Sequence, residues 1–286
     1  MRTKQRKFSR FRCPILAYHN VVAQDKADDK QIRNSPFTVT VDQFIRQMQF
    51  LADNDFRTID LDRFIEIVAD SDSTARFPES YVLITFDDGW HDNYQYAFPV
   101  LRELQLTATF FVITGRMGTK QYMSWQQLRE IQDAGMHIES HTHSHVPLEL
   151  LADDDVDDEL NRARQSIAQH LGKQVRYLSF PHGSYNKKIL KQAEHAGYQA
   201  CGTSNTDYAR SDSRLMELPR LLIRRSFDDG QFQRICRAET AVMLQQKLIQ
   251  KSKSLVKDTM GLQNYMVLHR LVYGTRRQET TIRKGF

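Results

Sequence analysis

Short apolar runs of four to six residues recur along the chain and stop at polar or glycine-containing loops, the pattern of buried strands. They predict strands over 15–18, 56–59, 81–86, 108–113, 136–139, 175–180, 199–203 and 221–224. Longer segments with helical period lie between them. Over 41–54 the residues Phe44, Ile45, Met48 and Leu51 form one apolar side. Ser124, followed three residues later by Gln127, predicts a capping-box start for a helix toward Ala134, with Gly135 as its stop. The segment 153–172 opens with acids, as a helix N-terminus prefers, and 186–197 is a further helix ending at glycine. Strand and helix alternate seven or eight times, which predicts an α/β fold, either a (β/α) barrel or a doubly wound sheet. A barrel would put its working residues just after the strand C-termini.

Composition narrows the class. With 40% hydrophobic and 26% charged residues, 12 Gly and 7 Pro in 286 residues, disordered, collagen-like and low-complexity chains are excluded. Three cysteines, Cys13, Cys201 and Cys236, are odd in number and widely spaced, so neither a disulfide framework nor a CxxC metal site is expected. The basic start meets an apolar run only from Cys13 to Tyr18, too short for a secretory h-region. No stretch reaches the roughly 18 apolar residues of a membrane span, and the mean hydropathy is −0.58. A cytoplasmic protein, with peripheral membrane contact as an option, is the expectation.

Charge is unevenly placed. Residues 1–12 carry six Lys/Arg and no acids, and 247–286 carry nine against Asp258 and Glu279. The body, 13–246, therefore holds 25 basic and 33 acidic residues, a net −8 against the whole chain's +5. An acidic body argues against a nucleic-acid substrate. The basic ends could touch an anionic membrane, and the apolar positions Val242, Leu248, Ile249, Leu255 and Val256 among lysines give the C-terminal segment helical character.

Candidate chemistry falls at strand ends: His19 after 15–18, Asp87 and Asp88 after 81–86, His141 and His145 after 136–139, and Pro181-His182-Gly183 after 175–180. Four of the ten histidines lie between 137 and 145. The HxxxH spacing of His141 and His145 lets two imidazoles meet one metal if the segment turns like a helix, with a carboxylate completing an open three-ligand site. His137 and His143 read as structural. Adjacent carboxylates at a strand end point in different directions, so one can bind metal while its neighbour takes a proton from water. FDDG occurs again at 227–230, where it reads as a turn. Trp90 and Trp125 read mainly as packing, with substrate contact open for Trp90, and Cys201 reads as a small core residue.

TFDDG (85–89), SHTHSH (140–145) and FPHGSY (180–185) resemble, in order and separation, the three motifs of the polysaccharide deacetylases with the NodB homology domain, carbohydrate esterase family 4. The segments AFPVL (97–101), ATFFV (108–112) and SWQQL (124–128) resemble the family's intervening context. The opening PILAYHNV is similar to the poly-N-acetylglucosamine deacetylase branch. The resemblance implies a distorted (β/α) barrel of about seven strands with a C-terminal helical extension: a basic segment 1–12, a barrel 13–235, and an extension 236–286. It implies Asp88, His141 and His145 as ligands of one divalent metal, zinc first with cobalt or nickel as alternatives. Asp87 becomes the general base, His19 the general acid, and the backbone of His182 beside Pro181 the oxyanion donor. Many members carry an arginine where this chain has Ser179 and a tyrosine where it has His182. The segment LPR (218–220) resembles a later branch motif, which implies that Arg220 orients Asp87. The expected activity is removal of N-acetyl groups from an amino-sugar polymer or glycan precursor. A non-sugar amide or imide hydrolase and a silent carbohydrate-binding protein are the alternatives. His269 resembles the family's late Leu-His motif only weakly, since His19 is already available.

Overall fold

A computed structural model describes residues 12–24, 35–69, 80–261, 264 and 267. Seven parallel strands follow the spatial order β10-β1-β5-β6-β7-β8-β9: β1 (Ile15–Tyr18), β5 (Tyr81–Phe86), β6 (Thr109–Val112), β7 (His137–Ser140), β8 (Tyr177–Ser179), β9 (Ala200–Gly202) and β10 (Leu221–Leu222). The short β4 (Arg57–Thr58) pairs with the start of β5, while β2 (Val21–Val22) and β3 (Val39–Thr40) form a separate parallel pair. Gly202 bridges Leu218, three residues before β10, so the curled sheet closes on itself as a distorted (β/α) barrel.

Strand alternation sorts the side chains. Leu16, Tyr18, Ile84, Phe86, Phe110, Ile138 and Leu178 pack outward against the helices. Ile15, Leu83, Phe111 and Tyr177 belong to a second cluster on the other face. Since Leu83, Thr85 and Asp87 are two apart, β5 carries Asp87 toward that inner face.

The helices are α1 (Val41–Asp53), α2 (Leu61–Ala69), α3 (Phe98–Glu103), α4 (Trp125–Asp133), α5 (Asp153–Leu171), α6 (Lys187–His195), α7 (Asp229–Cys236) and α8 (Thr240–Met260); α2 differs from the outer ones in packing Leu61, Phe64 and Ile67 into the inner cluster. The expected capping box at Ser124 and Gln127 is present, and Gly172 ends α5 in the left-handed conformation. On α1 the buried stripe is Gln43, Phe44, Gln47, Met48 and Leu51, whereas Ile45 is 40% exposed. One residue turns a helix by about 100°, which takes Ile45 off the stripe. Both buried glutamines find partners across the core: Tyr18 Oη donates to Gln47 Oε1 at 2.8 Å, and Gln43 Nε2 donates to Phe227 O at 3.0 Å, while Gln47 Nε2 stays buried without a hydrogen bond. The second FDDG does not end as a free turn, because Asp228 caps α7 by accepting from Gln231 N at 2.6 Å.

The predicted strand 175–180 shortens to three residues for a definite reason. Buried Glu139 accepts from Arg176 N and Tyr177 N, both at 2.9 Å, and pairs with Lys173 Nζ at 2.7 Å. A carboxylate thus replaces part of the backbone ladder between β7 and β8, the strands that lead to His141 and Pro181. Glu139→Ala is expected to cost about 3 kcal/mol, because it strands two amides and removes the counter-charge of Lys173. Calorimetry should show Tm lower by roughly 5 °C.

Val242, Met243 and Gln246 of α8 are buried, Lys247 Nζ pairs with Asp207 at 2.6 Å, and Gln250 bonds Ser204 O and Thr206 N. The first half of α8 therefore packs on the barrel, while Leu248 faces solvent. Residues 1–11, the side chains of 252–258, and 268–286 with His269 lie outside the described residues, as does the expected basic membrane contact they would make. Among the described residues no helix is long and apolar enough to cross a membrane.

Candidate active site

Asp87 and Asp88 are consecutive, yet they serve different neighbours, because Asp88 takes φ 77° and reverses the chain direction. Gly89 follows at φ +78°, a conformation that L side chains rarely adopt, so the turn needs glycine. Asp87 receives a two-pronged contact from Arg220, Nη1 to Oδ1 and Nη2 to Oδ2, both 2.8 Å. Ser179 Oγ accepts from Arg220 Nη2 at 2.8 Å and donates to Asp87 Oδ2 at 3.2 Å. Burial pushes the Asp87 carboxyl up, but Arg220, with His141 and His19, outweighs it and holds the pKa at about 2. The group is a carboxylate throughout the neutral range.

The Asp88 carboxylate is divided. Its Oδ2 accepts from Trp90 Nε1 at 2.9 Å, and the indole stacks on Tyr122 with centroids 4.5 Å apart. Its Oδ1 is buried without a hydrogen bond, 3.4 Å from His141 Nε2 and 3.2 Å from His145 Nε2. The two Nε2 atoms are 3.1 Å apart. Burial opposes the charge on Asp88, yet His145 and His141 draw its pKa well below the carboxylate range.

The segment 141–145 is not helical, contrary to the condition attached to the HxxxH spacing. Left-handed φ values at Thr142 (64°) and His145 (69°) fold it into a tight loop that brings the rings together. Glu159 from α5 fixes that loop by accepting from His143 N at 3.0 Å and Ser144 N at 2.8 Å. His143 bonds Thr114 and His137 pairs with Asp60, the structural roles expected of them.

His141 Nδ1 lies 2.7 Å from Ser179 O, which can only accept, so Nδ1 holds the proton and Nε2 presents its lone pair. Burial pushes the His141 pKa down, but the charges of Asp87 and Asp88 outweigh it and raise it; burial prevails at His145, whose pKa is lowered. The raised value reflects the pull of two carboxylates on any cation placed there. The three converging atoms form a triangle with edges of 3.1, 3.2 and 3.4 Å. A tetrahedral ion with ligands at about 2.0–2.1 Å requires edges of about 3.3–3.4 Å, so one divalent ion fits Asp88, His141 and His145 with a position left open.

His19 follows β1, stacks on Phe37 at 5.3 Å and keeps a buried Nδ1 without a hydrogen bond. Asn93 holds its carbonyl at 2.7 Å. The Pro181–Gly183 turn sets the His182 ring 4.6 Å from that of His145, with His182 itself at φ 56°. His19, Asp87, Asp88, His141, His145 and His182 thus all follow strand C-termini at one end of the barrel, whereas Arg220, just before β10, reaches Asp87 across the interior. Sequence reading missed Ser179 as a contact; it stood out only as a departure from a motif. Trp125 stacks on His170, and Cys201 is core.

A parallel barrel with an acidic pair, two converging imidazoles and an open cation position is the frame of a hydrolase. The polysaccharide deacetylase family profile matches residues 74–201, a stretch that contains Asp87, Asp88, both histidines and the Pro181–Gly183 turn but neither His19 nor Arg220. YxkH of Bacillus subtilis (strain 168), named for the same family, is 31% identical over 210 residues, 73% of this chain and 71% of its own length. The poly-β-1,6-N-acetyl-D-glucosamine N-deacetylase of Staphylococcus epidermidis is 28% identical over 242 residues, 77% of this chain and 82% of the relative. Among solved structures, the Streptococcus pyogenes deacetylase PplD in complex with acetate shares the fold. Its TM-score is 0.72 at 24% identity, over 80% of this chain and 99% of that one. The chain belongs to the polysaccharide deacetylase family and is an enzyme of that class.

Proposed function

We propose that the protein is a metal-dependent deacetylase that hydrolyses the N-acetyl group of an amino-sugar polymer or glycan precursor, releasing acetate and a free amine. The observation that carries this reading is the triangle of Asp88, His141 and His145 beside an Asp87 carboxylate locked by Arg220. The likeness to a relative named for poly-β-1,6-N-acetyl-D-glucosamine supports the sugar.

Asp88, His141 and His145 would hold one divalent ion, zinc first with cobalt or nickel as alternatives, which would supply Lewis acidity toward a water and the acetamide carbonyl. Asp87 takes the proton as the water oxygen attacks the carbonyl carbon, and Arg220 keeps the carboxylate ionised and aimed. His182 N–H, presented by its turn beside Pro181, donates to the developing oxyanion. His19 protonates the sugar nitrogen as the C–N bond breaks. Trp90 holds Asp88 through its indole N–H, and its half-exposed ring contacts the sugar. A precursor suits a cytoplasmic protein, and a finished polymer suits one working outside the cell.

Acetate release from N-acetylglucosamine oligomers should appear in the metal-loaded protein, cease after chelation and return with zinc, cobalt or nickel. Turnover that survives complete chelation would sink the metal-dependent reading. No release from a protein holding one tightly bound ion would move the substrate to a non-sugar amide.

A further inference from the structure

Gly202 closes β9, and its φ lies outside the left-handed range that would demand glycine. A glycine inside a strand weakens it and is kept where another group approaches closely. Here that group is a single side chain. A Cβ added at Gly202 would stand 2.9 Å from Arg220 Nε, 3.0 Å from its Cδ and 3.2 Å from its Cζ, and these are the three nearest atoms. Real Cβ atoms essentially never come within 3.0 Å of a neighbour, so the arginine would have to move.

It has little room to do so. Arg220 is 2% exposed, its guanidinium lies over the Phe111 ring at 5.6 Å, and its Nε donates to Thr203 O at 3.1 Å. Both Nη atoms are committed to Asp87, and one also to Ser179. Ser179 in turn offers its carbonyl to His141 Nδ1. Arg220 therefore threads a slot whose floor is the missing side chain of Gly202 and whose far end is the carboxylate. A few tenths of an ångström at the floor is transmitted to a contact formed by two parallel 2.8 Å bonds.

We propose that Gly202 is a positioning residue: by leaving the slot open, it lets Arg220 reach and orient Asp87. The inference rests on the reading of Asp87 as the base. That reading has its own test in Asp87→Asn, so the two can fail separately.

A four-way comparison of the metal-loaded wild type, Gly202→Ala, Arg220→Ala and the double variant tests the proposal, read by kcat, KM, metal content and Tm on acetate release. Gly202→Ala should lower kcat about tenfold or more, with KM within about twofold and metal content unchanged. In the Arg220→Ala background the same change should leave kcat where it is, because the intruding methyl then meets no arginine. An equal fold-loss in both backgrounds, or no loss in the first, overturns the proposal.

Two readouts do not depend on turnover. With ¹⁵N-arginine labelling, the Arg220 Nε resonance, identified by its absence in Arg220→Ala, should shift in Gly202→Ala; an unmoved resonance overturns the proposal. Should Gly202→Ala fail to fold, the double variant should be no less stable than Arg220→Ala alone, because the methyl then meets no arginine. A double variant clearly less stable than Arg220→Ala would show that the glycine serves something other than Arg220.

Discussion

Asp87→Asn is expected to lower kcat by about 10²–10⁴-fold while the protein keeps its metal. The substitution preserves shape, so Asp88, His141 and His145 should stay in place, and elemental analysis should return the wild-type metal content. What is lost is the basic oxygen that accepts the water proton. A second effect follows from burial: Arg220 would keep one acceptor of two and no counter-charge, in a site where both partners are nearly inaccessible. Breaking such a pair costs about 3–5 kcal/mol, so Tm should fall as well. Turnover must then be compared well below both transitions. Wild-type kcat in a folded, metal-loaded Asp87→Asn would remove Asp87 from the reaction. Loss of metal in that variant would instead make Asp87 a ligand, contrary to the division of the two carboxylates seen here.

The residues that make this site differ in how readily the sequence shows them, and the difference is physical. Asp87, Asp88, His141 and Pro181 follow apolar runs, and a strand end is a local signal that composition and period reveal. Arg220 meets Asp87 across 133 residues of chain from the beginning of a two-residue strand, where nothing local marks it. Only the resemblance of LPR to a family segment pointed there. Ser179 looked like a gap because an arginine was expected at its position; in the structure, the guanidinium arrives from another strand and Ser179 becomes its acceptor. The HxxxH spacing was informative for the wrong geometry, since two left-handed residues, not a helical turn, bring the rings together. Helix 41–53 shows the same limit in the core: buried Gln43 and Gln47 look polar in sequence and become interior only through partners on β1 and the 227 loop.

His141→Ala and Asp88→Ala are expected to abolish metal binding, and the wild-type protein's stability should report it without any substrate. The triangle gathers one carboxylate oxygen and two imidazole nitrogens within 3.4 Å of one another. Such an arrangement gains much from a cation. An ion that binds only the folded state at a thousand times its Kd adds about 4 kcal/mol. Chelation should therefore lower the wild-type Tm by roughly 7 °C, and added zinc should restore it. His141→Ala and Asp88→Ala should begin near the chelated value and respond to neither treatment. Asp88→Asn provides a gentler control, because the amide oxygen keeps the shape but not the charge; its affinity should fall while some response to zinc remains. A chelation-sensitive Tm in His141→Ala equal to that of the wild type would place the ion elsewhere. The same result in Asp88→Ala would leave the buried Oδ1 without a purpose, and the assignment of the three ligands would have to be given up.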